Sequence, residues 1–450
     1  VRRAPGEDDP YRAPSPGFAY AAYSALTSGL FLTLFPPFWA YARLSGRHLH
    51  GLRERIGLYP EGFAPSRGWP RIWIHAVSVG EVRAAACIIE CVRRLLPGSS
   101  IVLSSSTATG NEAAHKVLSG VVTCTYAPID FIGSVRRALD VFRPDILACV
   151  ETEIWPHLIV EARRRSVRTA LLNGRISVRS IGAYLKVRPL MRAALGHLDA
   201  LSMISREDAE RIQRLGAPPE RIEVHGNAKY DHLRALPRAG LREEAIGLLG
   251  VRPGQNVFVA GSTRTGEEAV VLDVFTRILK EDPGALLVLA PRHTRRVGEI
   301  ARLITARGLV HQVRSQLGGG GQPRTAQVVL VDTMGELPAF YSVATVVFCG
   351  GSMVPLGGQN VLEAAVWKKP VLYGHSMEDF AEARDLLETA GAGIAVKDAD
   401  DLAQNALYLM KNPSFAAAMG EKGHAAILQR AGASERHAKV LVRLLSPRSP

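Results

Sequence analysis

The chain has 450 residues, 47% of them hydrophobic and 22% charged, with a formal net charge of +13. That is too long for one ordinary core and too apolar for disorder, so two folded domains are expected. The basic excess calls for an anionic partner, and without zinc-finger spacing or an RNP-like signature nucleic acid is the weakest choice, behind an acidic membrane surface or a phosphorylated substrate. Five scattered cysteines (Cys87, Cys91, Cys124, Cys149, Cys349) with no CxxC exclude a disulfide framework or structural zinc site and fit a reducing compartment.

The first element is apolar. No charge stands between Arg12 and Arg43, and GFAYAAYSALTSGLFLTLFPPFWAYA is long enough for a bilayer, which takes about 20 residues. Pro36-Pro37 is expected to break this helix near its end. Arg43, Arg47, Arg53 and Arg55 follow and put the downstream chain in the cytoplasm by the positive-inside rule. Residues 1–45 are read as a tail and membrane anchor, spanning or monotopic.

Short apolar strands then alternate with amphipathic helices. Strands are expected at 71–77, 100–104, 121–126, 146–150, 169–172 and 200–204, with helices at 81–96, 111–118, 133–142, 158–164 and 206–215. This is βαβ repetition, hence a parallel α/β sheet covered on both faces, over 46–231. The stretch YDHLRALPRAG (230–240) lacks a period and reads as linker, placed at 232–246 in the domain division. The pattern restarts over 247–430, with strands or helices at 257–260, 267–279, 285–290, 297–306, 327–331, 337–341, 346–349, 363–366, 371–373 and 380–389. LGGGG at 317–321 reads as a surface loop. Two Rossmann-like domains leave an interdomain cleft lined by the carboxyl ends of their strands, where ligands of open α/β sheets bind.

The turns after the two leading strands read AVSVGE and AGSTRTGE, so neither a GxGxxG dinucleotide fingerprint nor a P-loop is present. In the first, Glu81 at the strand–helix hinge is either an acid favoured by the helix dipole or a general base. Glu151 and Glu153 in VETEIWP, two apart in a strand-like segment, are expected on one face, shifting each other's pKa or binding a cation. Arg175, Ser177 and Arg179 lie in a polar, basic loop suited to an anionic acceptor, and Lys229 closes the first half. In the second half, CGGSMVPLGGQN (349–360) offers backbone amides as an anion nest, followed by Asn360 and Glu363 as a capping box or a ribose contact. Glu336 sits at another helix start, and Arg292 offers a guanidinium fork for phosphate.

The motifs HAVSVGE, SSSTATG, VETEIWP, LLNGRISVRS, GNAKYD, LAPRH, VDTMGEL and GGSMVPLGGQNVLEAA, in this order, resemble those of the 3-deoxy-D-manno-octulosonic acid (Kdo) transferases of lipopolysaccharide synthesis, from the N-terminal helix to near the C-terminus. Val361 is a departure, because proline is common there in the family. The resemblance implies the glycosyltransferase B fold, a C-terminal helix within 431–450 crossing back to the first domain, and inverting transfer of Kdo from CMP-Kdo to a lipid A precursor (lipid IVA). It implies no metal or other cofactor, and a place on the cytoplasmic face of the inner membrane. By the same resemblance Glu81 is the proton acceptor, and Glu151, Glu153 and Lys229 support the transition state. Pro291, Arg292, Gly335, Glu336, Leu337, Asn360, Val361, Leu362 and Glu363 hold CMP. Two other functions fit this fold: a sugar-nucleotide epimerase or hydrolase, and a non-catalytic membrane scaffold. The uncharged N-terminus and basic charge argue against the first, the acids at strand ends against the second.

Overall fold

The structure, a computed structural model, describes residues 17–45, 51–60, 63, 68–318 and 323–446. The expected tail 1–16, Arg47 and the loop positions 319–321 lie outside them. The chain forms two compact units, one taking the described residues up to His232 together with those from Ala431 onward, the other running Leu233–Arg430.

The first unit is built on seven strands, β1 (Arg71–His75), β2 (Ser100–Ser105), β3 (Thr123–Tyr126), β4 (Ile146–Val150), β5 (Arg168–Gly174), β6 (Ala200–Met203) and β7 (Ile222–Val224). They pair in the order β3-β2-β1-β4-β5-β6-β7, and all pairs are parallel. Side chains alternate across this sheet. Ile72 and Ile74 enter one apolar layer with Val82, Ile88 and Ile89, whereas Trp73 enters the other with Val135, Leu139 and Phe142. Burial on both faces explains the unbroken apolar runs in the strands. The helix Ala433–Leu445 packs into the first layer through Ala438, Val440 and Leu441.

The second unit repeats the plan with β8 (Val257–Thr263), β9 (Leu286–Pro291), β10 (His311–Val313), β11 (Val328–Leu330), β12 (Val346–Cys349), β13 (Val371–Tyr373) and β14 (Gly393–Ala395), ordered β10-β11-β9-β8-β12-β13-β14. Each sheet reverses its direction of growth once, between β1 and β4 in the first unit and between β8 and β12 in the second. The carboxyl ends of such strand pairs are the standard ligand positions of open α/β sheets.

Several expectations are corrected. The helix Gly17–Ser45 runs through Pro36 and Pro37. Proline removes ladder donors but keeps a helical φ, so the pair weakens the helix without ending it. Residues 230–240 are not irregular throughout, because a helix occupies Lys229–Arg234. The basic loop around 175–180 turns into the helix Val178–Lys186, followed by a second at Arg188–Leu195. Strands β7, β10 and β14 are edge pieces of three residues, too short to show a period.

Candidate active site

In the first unit, β1 and β4 lie side by side in parallel, with His75 opposite Cys149. Their two exit turns therefore leave from the same edge. Ser78 ends the first turn and caps the helix Val79–Leu95, its Oγ accepting the Glu81 amide at 3.5 Å. The Glu81 carboxylate folds back, accepting the Val77 amide at 2.7 Å and the Ser78 hydroxyl at 3.0 Å. This is a variant of the capping box, reaching one residue further back. The residue is only 9% exposed. Burial raises its pKa, with the Val77 amide pulling the other way, the Glu151 carboxylate adding to the rise, and Ser78 and Lys229 opposing it.

Glu151 leaves β4 with φ +62°. This left-handed kink, uncommon for a residue with a Cβ, breaks the expected extended geometry of Glu151 and Glu153. The two acids accordingly take different partners. Glu151 pairs with Lys229, Oε1 to Nζ at 2.7 Å. Glu153 accepts the Trp155 indole N–H and stands 3.9 Å from His75 Nε2. Burial pushes the Glu153 carboxyl up to about 7; the Trp155 hydrogen bond opposes this, and the charges of Glu81 and Glu151 reinforce it. His75 is wholly buried and pushed down to about 4 by desolvation, so at neutral pH it offers Glu153 no counter-charge.

Lys229 is held in place by residues that the sequence reading did not single out. Asn173, itself at φ +52°, accepts the Ala228 amide at 2.8 Å. Asp231 accepts the amides of Gly432 and of Ser434 (the latter at 2.7 Å), which starts the C-terminal helix. His437 on that helix contacts the Gly226 carbonyl oxygen at 3.0 Å. The Asn-Gly pair that closes β5 was a legible signal for the first of these; nothing local marks the other two.

Of the expected acceptor residues, Arg175 is exposed. Ser177 caps the helix Val178–Lys186, accepting the Ser180 amide at 3.1 Å, and the Arg179 side chain lies outside the described residues. Arg55, one of the basic residues that follow the apolar helix, donates to the Ser106 carbonyl at 2.7 Å and stacks over Tyr126.

In the second unit, Pro291 ends β9 and the exposed Arg292 follows, its amide donating to the Thr263 carbonyl at 3.0 Å. Beside it Arg264 contacts His293 at 2.9 Å. Gly335, at φ +88°, precedes Glu336, whose carboxylate pairs with Arg314 at 2.6 Å and accepts the Thr333 hydroxyl. Leu337 then opens the helix Leu337–Val343. Asn360 accepts the Leu362 amide at 3.2 Å, with Val361 and Leu362 buried and Glu363 half-buried. The helix that follows is brief, Leu362–Ala365.

The glycine-rich stretch departs from expectation. The amides of Gly351, Ser352 and Met353 do turn inward as a nest, but they donate to the chain's own Glu267 at 2.6, 2.9 and 2.8 Å. The Arg264 amide adds a fourth bond at 2.8 Å, and Glu267 is 1% exposed. The Gly357 amide goes to Ser376 Oγ and that of Gly358 to the Gly351 carbonyl. An internal anion thus occupies the expected site at 351–353. Among the described residues, no group of three or more His, Cys, Asp or Glu is arranged to hold a metal ion.

The 3-deoxy-D-manno-octulosonic acid transferase (kdotransferase) domain model matches residues 50–232. Over 407 residues the chain is 30% identical to the 3-deoxy-D-manno-octulosonic acid transferase of Haemophilus influenzae, covering 90% of this chain and 92% of that protein. The chain belongs to the Kdo transferase family. The Bordetella pertussis transferase of the same name is 34% identical over 375 residues, 81% of this chain and 85% of that one. The UDP-GlcNAc 2-epimerase of Neisseria meningitidis shares the fold at TM-score 0.57 and 14% identity, over 83% of this chain and 99% of its own. The Kdo transferase assignment thus rests on sequence, while the epimerase shares the two-domain glycosyltransferase B architecture alone.

Proposed function

We propose that this protein is an inverting glycosyltransferase that moves Kdo from CMP-Kdo to a hydroxyl of a lipid A precursor, of the lipid IVA class, at the cytoplasmic face of the inner membrane. The observation that carries the reading is Glu81. It is buried at the switch point of the first sheet, held by one amide and one hydroxyl, and made more basic by desolvation and the neighbouring Glu151 charge.

In the proposed reaction the acceptor hydroxyl oxygen attacks the anomeric carbon from the face opposite CMP. The bond from that carbon to the phosphate oxygen breaks, and its electron pair leaves with CMP. The hydroxyl proton passes to a Glu81 carboxylate oxygen. An alcohol is a poor nucleophile at neutral pH, and a positioned base typically contributes ~10²–10⁴-fold. Lys229, fixed by Glu151, brings positive charge beside the reacting groups, and Glu153, near its midpoint at neutral pH, donates a hydrogen bond while protonated. On the nucleotide side Arg292 meets phosphate, while the segments 335–337 and 360–363 hold ribose and base. In this reading Arg292 and backbone donors offset the charge on departing CMP, so turnover persists in a chelator. The apolar helix Gly17–Ser45 keeps the enzyme beside its lipid.

The test is purified full-length protein with CMP-Kdo and lipid IVA, followed for CMP release and lipid mass. Equimolar CMP and a lipid heavier by one or more Kdo units are expected. CMP without a mass gain would make the protein a hydrolase, and bound CMP without release a scaffold.

A further inference from the structure

The run Gly17–Ser45 is uncharged up to Arg43 and apolar all round, but its hydroxyl-bearing residues in the first half are not scattered. Tyr20, Tyr23, Ser24, Thr27 and Ser28 recur at i, i+3, i+4, i+7 and i+8, one polar stripe on an apolar helix. That stripe faces the first unit. The Tyr23 hydroxyl donates to Asp130 Oδ2 at 2.8 Å. The same carboxylate accepts the amides of His157 and Leu158 at 3.1 and 2.9 Å, at the start of the helix Pro156–Arg164. His157 contacts the Tyr20 hydroxyl at 3.1 Å through Nδ1 and the Thr27 hydroxyl at 2.9 Å through Nε2. One turn further on, Phe31 stacks on Phe131 with ring centroids 4.1 Å apart and planes 6° off parallel. Asp130 and His157 are 6% and 0% exposed, so these contacts belong to the folded interior of the unit.

Length then decides the topology. A helix rises about 1.5 Å per residue, and the hydrocarbon core of a bilayer is about 30 Å thick. From Tyr20 to Phe31 the helix is fastened along a water-soluble, hydrogen-bonded domain that cannot enter hydrocarbon. The remaining fourteen residues, Leu32 to Ser45, extend only about 21 Å and include both prolines.

We propose that the N-terminal helix does not cross the membrane but lies in its interface, docked by the Tyr20–Phe31 stripe, with both its ends on the same side of the bilayer as the enzyme. The inference rests on the membrane reading above. Its committed partner is the boundary between headgroups and acyl chains. On the side away from the domain the helix presents Phe18, Leu26, Leu30 and Leu32 at 90, 69, 56 and 68% exposure. Its last turns carry Phe38, Trp39 and Tyr41, with the Arg43 guanidinium 4.4 Å above the Trp39 ring. Terminal aromatics and a snorkelling arginine sit at headgroup level, and the exposed apolar length supplies the surface buried beside them, so the docking and the short remaining length, not the composition, decide against a span.

The experiment uses the full chain with an epitope and a site-specific protease site ahead of Val1, expressed in bacteria. Inside-out inner-membrane vesicles are prepared from the cells, so that the cytoplasmic face is outward. The protein should float with the vesicles and lose its tag to added protease as fast as in detergent. A tag protected until detergent is added, on protein that floats, would overturn the interfacial placement and leave the membrane reading standing. Protein left in the soluble fraction would sink both.

Discussion

The two units place a carboxylate at the same point of the same plan and use it differently. Glu81 follows β1 and Glu267 follows β8, each on the helix leaving the central strand at its sheet's switch point, and both are buried. Glu267 accepts four backbone amides, three of them from the loop after the neighbouring strand β12. It is a strut that gives the glycine-rich turn its shape. Glu81 accepts one amide and one hydroxyl, and feels Glu151 and Lys229 nearby. Position in the fold therefore does not make a base. The number of donors aimed at the carboxylate, and the charges around it, separate the strut from the proposed base.

Breaking the strut should give the largest effect. Glu267→Ala leaves the Gly351, Ser352 and Met353 amides without their acceptor, and orphaned buried donors cost about 1–3 kcal/mol each. Thermal unfolding should show a fall of roughly 10 °C or more; a melting point within a degree of the parent would deny Glu267 its structural role. Lys229→Ala removes the partner of a nearly buried Glu151, and turnover should drop about 10- to 100-fold in a steady-state assay with CMP-Kdo saturating. If only the donor KM moved, Lys229 would belong with the nucleotide contacts. Arg292→Ala should raise the donor KM about tenfold, the scale of one charge-assisted phosphate contact, with acceptor KM unchanged.

The smallest effect sharpens the electrostatics of the acid cluster. Glu153 titrates near 7 in the folded chain against an ordinary 4.5, so the native state binds its proton more tightly than the unfolded state. That contribution is complete below about 4.5 and is lost as pH rises through 7. Glu153→Gln has no charge to bury. Its melting temperature relative to the parent should rise between pH 4.5 and 7 by roughly 7 °C and stay level above. A difference independent of pH would mean that Glu153 is ionised throughout.

Much of the architecture was legible because parallel strands buried on both faces announce themselves as apolar runs. The expected 146–150, 346–349 and 371–373 are strands β4, β12 and β13 to the residue. Three-residue edge strands and the Gly-containing helix Val178–Lys186 carry no such pattern. At the site, residue identities were readable and partnerships were not. VETEIWP advertised two acids, but only the kink at Glu151 reveals that one goes to Lys229 and the other to Trp155. CGGSMVPLGGQN advertised an anion nest without revealing that its anion is Glu267, some eighty residues earlier. Long-range partners such as Asp231 with Ser434 leave no local mark in a single sequence.

The most direct test replaces the Glu81 carboxylate by its amide and measures single-turnover transfer of Kdo with bound CMP-Kdo, with CMP affinity as the control. Glu81→Gln should bind CMP as the parent does and transfer at least about 10²-fold more slowly. Transfer at the parental rate would contradict the assignment of Glu81 as the base.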